Sequence, residues 1–225
     1  ICGWNLIKNA GSSYKTKVIP IDSEHFSLMK LLENHNLNEI KKIYITASGG
    51  PFLKFNPSKL KYVTPEKALN HPKWKMGKKI SIDSSTLMNK ILELLEAQKL
   101  FDLPLNKLDI IIHPESLVHA IIVLKNGLTK FIYHETSMLV PIANAIFESD
   151  LNISEFNYLR NYKNKESKIQ NLTFKKVNSK IFPVIKLKNH INEYYSTPVI
   201  INAANETLVD QFLKKKVKFH KKQRK

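Results

Sequence analysis

The residues best suited to chemistry are Ser84, Asn89, Lys90 and Glu93, within SSTLMNKILE. On a helix, residues three and four apart share a face, so Asn89 and Lys90 both point the same way as Glu93. An amide donor, an ammonium and a carboxylate then converge on one surface. The other side, with Leu87, Met88, Ile91, Leu94 and Leu95, is apolar enough to pack on a core. An ordinary surface helix with a solvated Lys/Glu pair has the same pattern, so the flanking motifs must decide between the two.

Asp22, Ser23, Glu24 and His25 follow the β-leaning run Lys17 to Ile21. Two carboxylates two residues apart at a strand end lie on one side and repel unless a cation or shared proton sits between them. A hard divalent ion with oxygen ligands, Mg²⁺ or Mn²⁺, suits that pair. Capping of a following helix by Asp22 or Ser23, with Glu24 in its first turn, stays open beside it. Ser48, Gly49, Gly50 and Pro51 come straight after the apolar run Ile43 to Ala47. Glycines there bring backbone N–H groups close to an anion, or simply form a turn. His113, Pro114, Glu115, Ser116 and then His119 lie between the apolar runs Leu108 to Ile112 and Leu117 to Leu124, where either histidine could be a satisfied core group.

The elements that must position these groups read as α/β: a mixed sheet flanked by helices, then a linker and a truncated helical segment. Strands are expected near 17–21, 41–47, 79–82, 108–112, 117–124 and 128–133, and helices near 23–34, 84–100 and 140–147. Lys125, Asn126 and Gly127 form a plausible hairpin turn between the last two strands.

In their order, these segments resemble the 1-deoxy-D-xylulose 5-phosphate reductoisomerase family. The carriers are PIDSEH at 20–25, SGGPF at 48–52, HPKWKMGKKISIDSSTLMNK at 71–90 with Glu93, IHPESLVH at 112–119, FPVIKL at 182–187 and NAANE at 202–206. The resemblance implies that Asp22, Glu24 and Glu93 are metal ligands for Mg²⁺ or Mn²⁺. It implies substrate contacts at Ser23, Ser48, His71, Trp74, Ser84, Asn89, Lys90 and Ser116, with Lys90, Glu93 and His119 catalytic. Trp74 and Met76 fall on a loop that closes over substrate in the family, and Met76 and Met138 match cofactor-contacting positions. The chain departs from the family where Thr136 and Ser137 replace the usual Pro-Asp before Met138, and where Ile91 replaces a glycine. A doubly charged phosphate wants several donors and a cation, which this set supplies.

The implied activity is NADPH- and metal-dependent rearrangement and reduction of 1-deoxy-D-xylulose 5-phosphate to 2-C-methyl-D-erythritol 4-phosphate, a step of isoprenoid biosynthesis. A closing lid fits a reaction passing through an aldehyde that must not escape. Hydride transfer needs a nicotinamide cofactor, yet the chain has six glycines and no GxGxxG. By resemblance, a Rossmann-like domain for NADPH comes first in the family, residues 1–21 are its tail and crossover strand, and Ile1 in place of Met points the same way. Residues 22–148 then form the catalytic, metal- and substrate-binding domain, 149–181 a linker rich in Asn, Lys and Ser, and 182–225 a partial helical C-terminal domain with a basic tail. A non-catalytic sugar-phosphate or polyanion binder is the competing expectation.

The formal net charge is +17, of which residues 214–225 carry +8. Nucleic acid is not the expected partner: of 36 basic residues only Arg160 and Arg224 are arginine, the side chain preferred for bidentate recognition. A basic catalytic face instead attracts an anionic sugar phosphate. The single Cys2 excludes an internal disulfide, and the apolar runs are too short to span a bilayer, so a bacterial cytoplasm is expected, with a plastid as the alternative. The family implies a homodimer, and extended pairing around 117–133 is the expected contact.

Overall fold

Strongly apolar strands build one mixed five-stranded sheet in the computed structural model of the chain, which describes residues 2–147 and 171–219. The strands are β1 (Ile40–Ala47), β2 (Leu108–Ile112), β3 (Val118–Leu124), β4 (Thr129–Tyr133) and β5 (Lys175–Lys176), in the order β4-β3-β1-β2-β5. β1 runs parallel to β2, while the β1–β3, β3–β4 and β2–β5 pairs are antiparallel. Central β1 and β3 bury Ile43, Ile45, Ala120 and Ile122, as strands covered on both faces must. Edge strand β4 leaves all but Ile132 exposed. The expected hairpin turn forms: Gly127 takes φ 89°, and Leu128 N–H donates to Asn126 Oδ1 at 3.1 Å.

The helices are α1 (Trp4–Ser13), α2 (Ser23–Leu32), α3 (Pro65–Leu69), α4 (Lys78–Thr86), α5 (Met88–Leu100), α6 (Leu139–Phe147) and α7 (Thr197–Leu213). α5 sets Ile91, Leu94 and Leu95, all fully buried, into the main core against β1 and β2. α2 packs on β3 through a buried face that includes Phe26 and Leu28. A second, smaller core joins Phe52, Leu60 and Val63 to Ile82 of α4 and to Val209, Phe212 and Phe219 from the C-terminal segment. Asn205 of α7 donates to the buried Asp83 carboxylate of α4 at 3.0 Å, a polar tie beside that core.

Three sequence expectations are corrected. Residues 79–82 lie in helix α4, not a strand. The Lys-Lys-Ile-Ser-Ile alternation misleads because the hydroxyls of Ser81, Ser85 and Thr86 bond back to carbonyls of their own helix, at 3.0 Å (Gly77), 2.7 Å (Ile82) and 3.1 Å (Asp83). Serine and threonine can then be buried on a helical face that reads as polar. Residues 17–21 form no strand: Val18 and Ile21 are exposed, and Pro20 has no N–H to give a ladder. The expected helix 84–100 is broken at Leu87, which takes φ 63° and separates α4 from α5. Of the expected linker, 149–170 lies outside the described residues, while its remainder supplies β5 and Ile181 to the main core. No helix among the described residues is long and apolar enough to cross a membrane.

The second core makes α7 part of the platform under α4. Phe212→Ala is therefore expected to cost about 3 to 5 kcal/mol of unfolding free energy in a urea titration. A loss under about 1 kcal/mol would show that α7 does not support α4.

Candidate active site

Asp22 caps α2, its Oδ1 accepting from Glu24 N–H at 3.4 Å, and Glu24 occupies the first turn. The capping reading is thus seen, and a helix N-terminus rather than a strand end brings the two acids together. α5 adds Glu93 from the face predicted to carry it. Lys90 Nζ lies 2.9 Å from both Glu93 oxygens and also bonds Glu24, while Asn89 donates to Glu93. Ser23 Oγ donates to Glu24 at 2.5 Å.

Three carboxylates against one ammonium leave the cluster net negative, and the charges respond. Burial, then the charge of Glu24, holds the Glu93 carboxyl well above its ordinary value. Withdrawal from water and the same neighbour push Asp22 from 3.8 to about 7. Burial also raises Glu24, but Lys90 outweighs it and keeps that carboxyl low. Burial opposes the Lys90 charge, yet Glu24 and Glu93 hold its proton more tightly than usual. Asp22, Glu24 and Glu93 each offer an oxygen, all within 4.8 Å of one another. Ligands of one octahedral Mg²⁺ stand about 3 to 4 Å apart, so small side-chain shifts would fit the ion.

Across the cavity, the turn after β1 is pressed against α4. A side chain on Gly50 would meet the Ser84 carbonyl at 3.1 Å, and both Gly49 and Gly50 take positive φ. Ser48 Oγ accepts from Gly50 N–H at 3.1 Å and meets His71 Nε2 at 3.1 Å. His71 Nδ1 accepts from Trp74 N–H at 2.9 Å, so the hydrogen is on Nε2, which donates to Ser48. With both its lone pairs engaged, Ser48 has its own hydroxyl hydrogen left to donate. Burial and Lys90 lower His71 from 6.5 to about 4, keeping it neutral. The left-handed Leu87 swings the chain so that Ser84, at the end of α4, faces the same cavity as Asn89 and Lys90.

The cavity encloses about 430 Å³. Every site residue named from the sequence lines it, with Trp74, Met76 and Met138 forming its apolar part. Ser116, at φ 58°, and His119 enter from the β2–β3 side. Their Ser116 Oγ and His119 Nε2 are, among the described residues, buried atoms without a hydrogen-bond partner, which marks an aspect of the cavity shaped for a ligand. Trp74 meets His119 edge-on, with ring centroids 6.3 Å apart.

The sequence reading missed Thr46, His25 and His134. Thr46 lines the cavity and supports β3 by donating to the Val118 carbonyl at 2.6 Å; its strand parity with Ser48 was the available signal. His25 Nε2 donates to the Glu93 carbonyl at 3.0 Å, and its Nδ1 stands 3.7 Å from Asp22. It sits inside a motif that named its neighbours. Nothing in the sequence pointed to His134, which reaches the site only through the hairpin.

The electrostatics give a test of sign. Glu93 loses its proton near 4.5 when unfolded but holds it to higher pH when folded, so rising pH costs the folded metal-free chain stability through this group. Glutamine at 93 lacks that cost. The thermal stability of Glu93→Gln relative to the unaltered chain is expected to rise as pH increases from about 4.5 to about 7. A difference that is flat or falls with pH would contradict the raised Glu93 carboxyl.

Two family models match the chain: the 1-deoxy-D-xylulose 5-phosphate reductoisomerase C-terminal domain over residues 18–101, and the DXP reductoisomerase C-terminal domain over 134–223. The 1-deoxy-D-xylulose 5-phosphate reductoisomerase of Pelagibacter ubique is 47% identical over 98% of the chain, and that of a Wolbachia strain from Drosophila simulans 40% over 97%. The Zymomonas mobilis reductoisomerase solved with NADPH superposes with TM-score 0.81 at 33% identity. A DOX-P reductoisomerase solved with NADPH, fosmidomycin and magnesium gives 0.85 at 31%; each superposition covers 98% of this chain. The chain spans about 56% of the length of these relatives. Both family models, together with relatives that match along nearly the whole chain, lead to one assignment: the chain belongs to the 1-deoxy-D-xylulose 5-phosphate reductoisomerase family.

Proposed function

We propose that this chain supplies the metal- and substrate-binding part of an enzyme that isomerises and reduces 1-deoxy-D-xylulose 5-phosphate to 2-C-methyl-D-erythritol 4-phosphate with NADPH. The observation that carries this is the convergence, in one cavity, of a carboxylate triad with the Lys90 ammonium, the Asn89 amide and the hydroxyls of Ser48 and Ser84. Asp22, Glu24 and Glu93 would hold Mg²⁺ or Mn²⁺, which when bound supplies Lewis-acid polarisation of substrate oxygens. Ser48, Ser84 and Asn89 would take the phosphate, with the neutral His71 orienting the Ser48 hydroxyl. Lys90, Ser23 and Ser116 would fix the substrate's oxygens beside the triad, and the unpartnered Nε2 of His119 would meet a substrate hydroxyl. Trp74 would cover the substrate and exclude water, while Met76 and Met138 would meet the nicotinamide. Magnesium, fosmidomycin and NADPH in the solved relatives support this division of labour.

Phe131 and Tyr133 of the edge strand β4 are exposed, as are Leu128 just before it and Ile142 and Ile146 of α6, and these apolar side chains support a homodimer contact. A bacterial cytoplasm is the compartment that fits the relatives' organisms.

Calorimetric titration of the chain with fosmidomycin, with and without Mg²⁺, tests the reading. Binding is expected to require the ion and to weaken at least about tenfold in Asp22→Asn and Glu93→Gln. Binding that is indifferent to Mg²⁺ and weakened only by salt would support a polyanion binder instead.

A further inference from the structure

His113 and Glu115 belong to the motif that carries Ser116, yet the function above gives neither a task. The His113 ring is fully buried and stacks on Phe174, with centroids 4.8 Å apart and planes 20° apart. Its Nε2 accepts from the Leu117 N–H at 3.2 Å. A backbone amide can only donate, so Nε2 keeps its lone pair and the ring hydrogen sits on Nδ1, which donates to the Thr173 carbonyl at 3.0 Å. Glu115 completes the hold on Thr173, its Oε2 accepting from the Thr173 N–H at 3.1 Å. The stretch just before β5 is thereby pinned to the loop between β2 and β3.

His113 also holds both peptide groups that flank Ser116. The Ser116 N–H donates to the His113 carbonyl at 3.1 Å, and the next amide, the Leu117 N–H, goes to the His113 ring. Between these two anchors Ser116 takes φ 58°, a left-handed conformation that an L-residue keeps only where its surroundings over-determine it. Its Oγ, which has no hydrogen-bond partner among the described residues, lines the cavity. Any residue at 113 could supply the carbonyl; only a side chain with an acceptor at this reach supplies the second anchor. His113 is itself fixed to the sheet, its N–H donating to the Ala47 carbonyl at 2.7 Å, one residue before Ser48.

We propose that His113 is a positioning residue for Ser116: strung between Thr173 and Leu117 as the Nδ1–H tautomer, its ring holds Ser116 left-handed with Oγ in the cavity. That this Oγ meets a substrate oxygen rests on the reading above; the hold on Ser116 is a property of the free chain. Loss of the ring acceptor leaves the N–H of the buried Leu117 unpaired, and a turn that relaxes to recover a partner carries Ser116 out of its left-handed conformation.

The test is nuclear magnetic resonance of the nitrogen-15-labelled full chain without ligand, followed by calorimetry with fosmidomycin and Mg²⁺. The unaltered chain is expected to show a nitrogen–nitrogen coupling across the hydrogen bond from the Leu117 amide to His113 Nε2, and at Ser116 the strong amide-to-Hα cross-peak of a positive φ. His113→Phe, which keeps a ring for Phe174 but has no acceptor, should lose both. His113→Gln, whose side-chain carbonyl can accept from the Leu117 N–H, should keep the cross-peak. Fosmidomycin with Mg²⁺ should bind about two- to tenfold more weakly to Ser116→Ala and to His113→Phe, as loss of one net hydrogen bond allows. The double variant should lose no more than about twofold beyond either single one, because both changes remove the same contact. Absence of the coupling in the unaltered chain overturns the proposal, as do a retained cross-peak in His113→Phe and independent losses in the double variant. If the phenylalanine variant does not fold, the glutamine variant decides: a left-handed Ser116 supports the proposal, and its loss overturns it. A Ser116 that depends on His113 in a chain where Ser116→Ala binds fosmidomycin normally would sink the task given to Ser116 while leaving His113 in its role.

Discussion

The constraint on which the site depends is the imbalance of charge around Lys90. One buried ammonium faces Glu24 and Glu93 directly, with Asp22 behind them. Buried charge is tolerated only when paired and hydrogen-bonded, so the triad can exist only where the fold already supplies those partners. α2 supplies them by ending at the cavity with Asp22 as its cap, which sets the positive end of the helix behind Asp22 and Glu24. α5 supplies the rest by burying Ile91, Leu94 and Leu95 so firmly that Lys90 and Glu93 cannot turn to solvent. A dication in the same place would displace the protons that Glu93 and Asp22 hold, because it would supply the positive charge that one ammonium lacks.

The walls of the cavity are made by backbone that leaves ordinary conformations. Gly49 and Gly50 turn the chain after β1, Leu87 separates two helices within one residue, and Ser116 takes a left-handed conformation before β3. Glycine adopts positive φ freely, but a buried leucine or serine does so only when packing over-determines it, at about 1 to 3 kcal/mol. At Leu87 the side chain is 2% exposed within the main core. Each of these positions directs a polar group inward: the Ser48 hydroxyl, Ser84 with Asn89, and Ser116 Oγ. Strain here coincides with the cavity wall, because regular elements alone would aim these groups elsewhere.

Much of the site was legible in the sequence. The i, i+3 and i, i+4 spacing on α5 gave Asn89, Lys90 and Glu93 correctly, since helical periodicity is local. Strands at 41–47, 108–112, 117–124 and 128–133 were readable because continuous apolar runs mark a sheet covered on both faces. The helix at 78–86 was not, because its buried hydroxyls are satisfied by their own backbone and hydropathy registers them as polar.

Residue types and order therefore determined which groups line the cavity: the acids, the serines, the ammonium and the histidines of the family motifs. The tertiary structure alone decided how they are set against one another. It placed Asp22 at a helix cap rather than a strand end, turned His71 into the donor that frees the Ser48 hydroxyl, and stacked His134 on His119. The physical reason is that tautomer, charge sharing and ring stacking depend on partners distant in sequence, whereas a motif records only near neighbours.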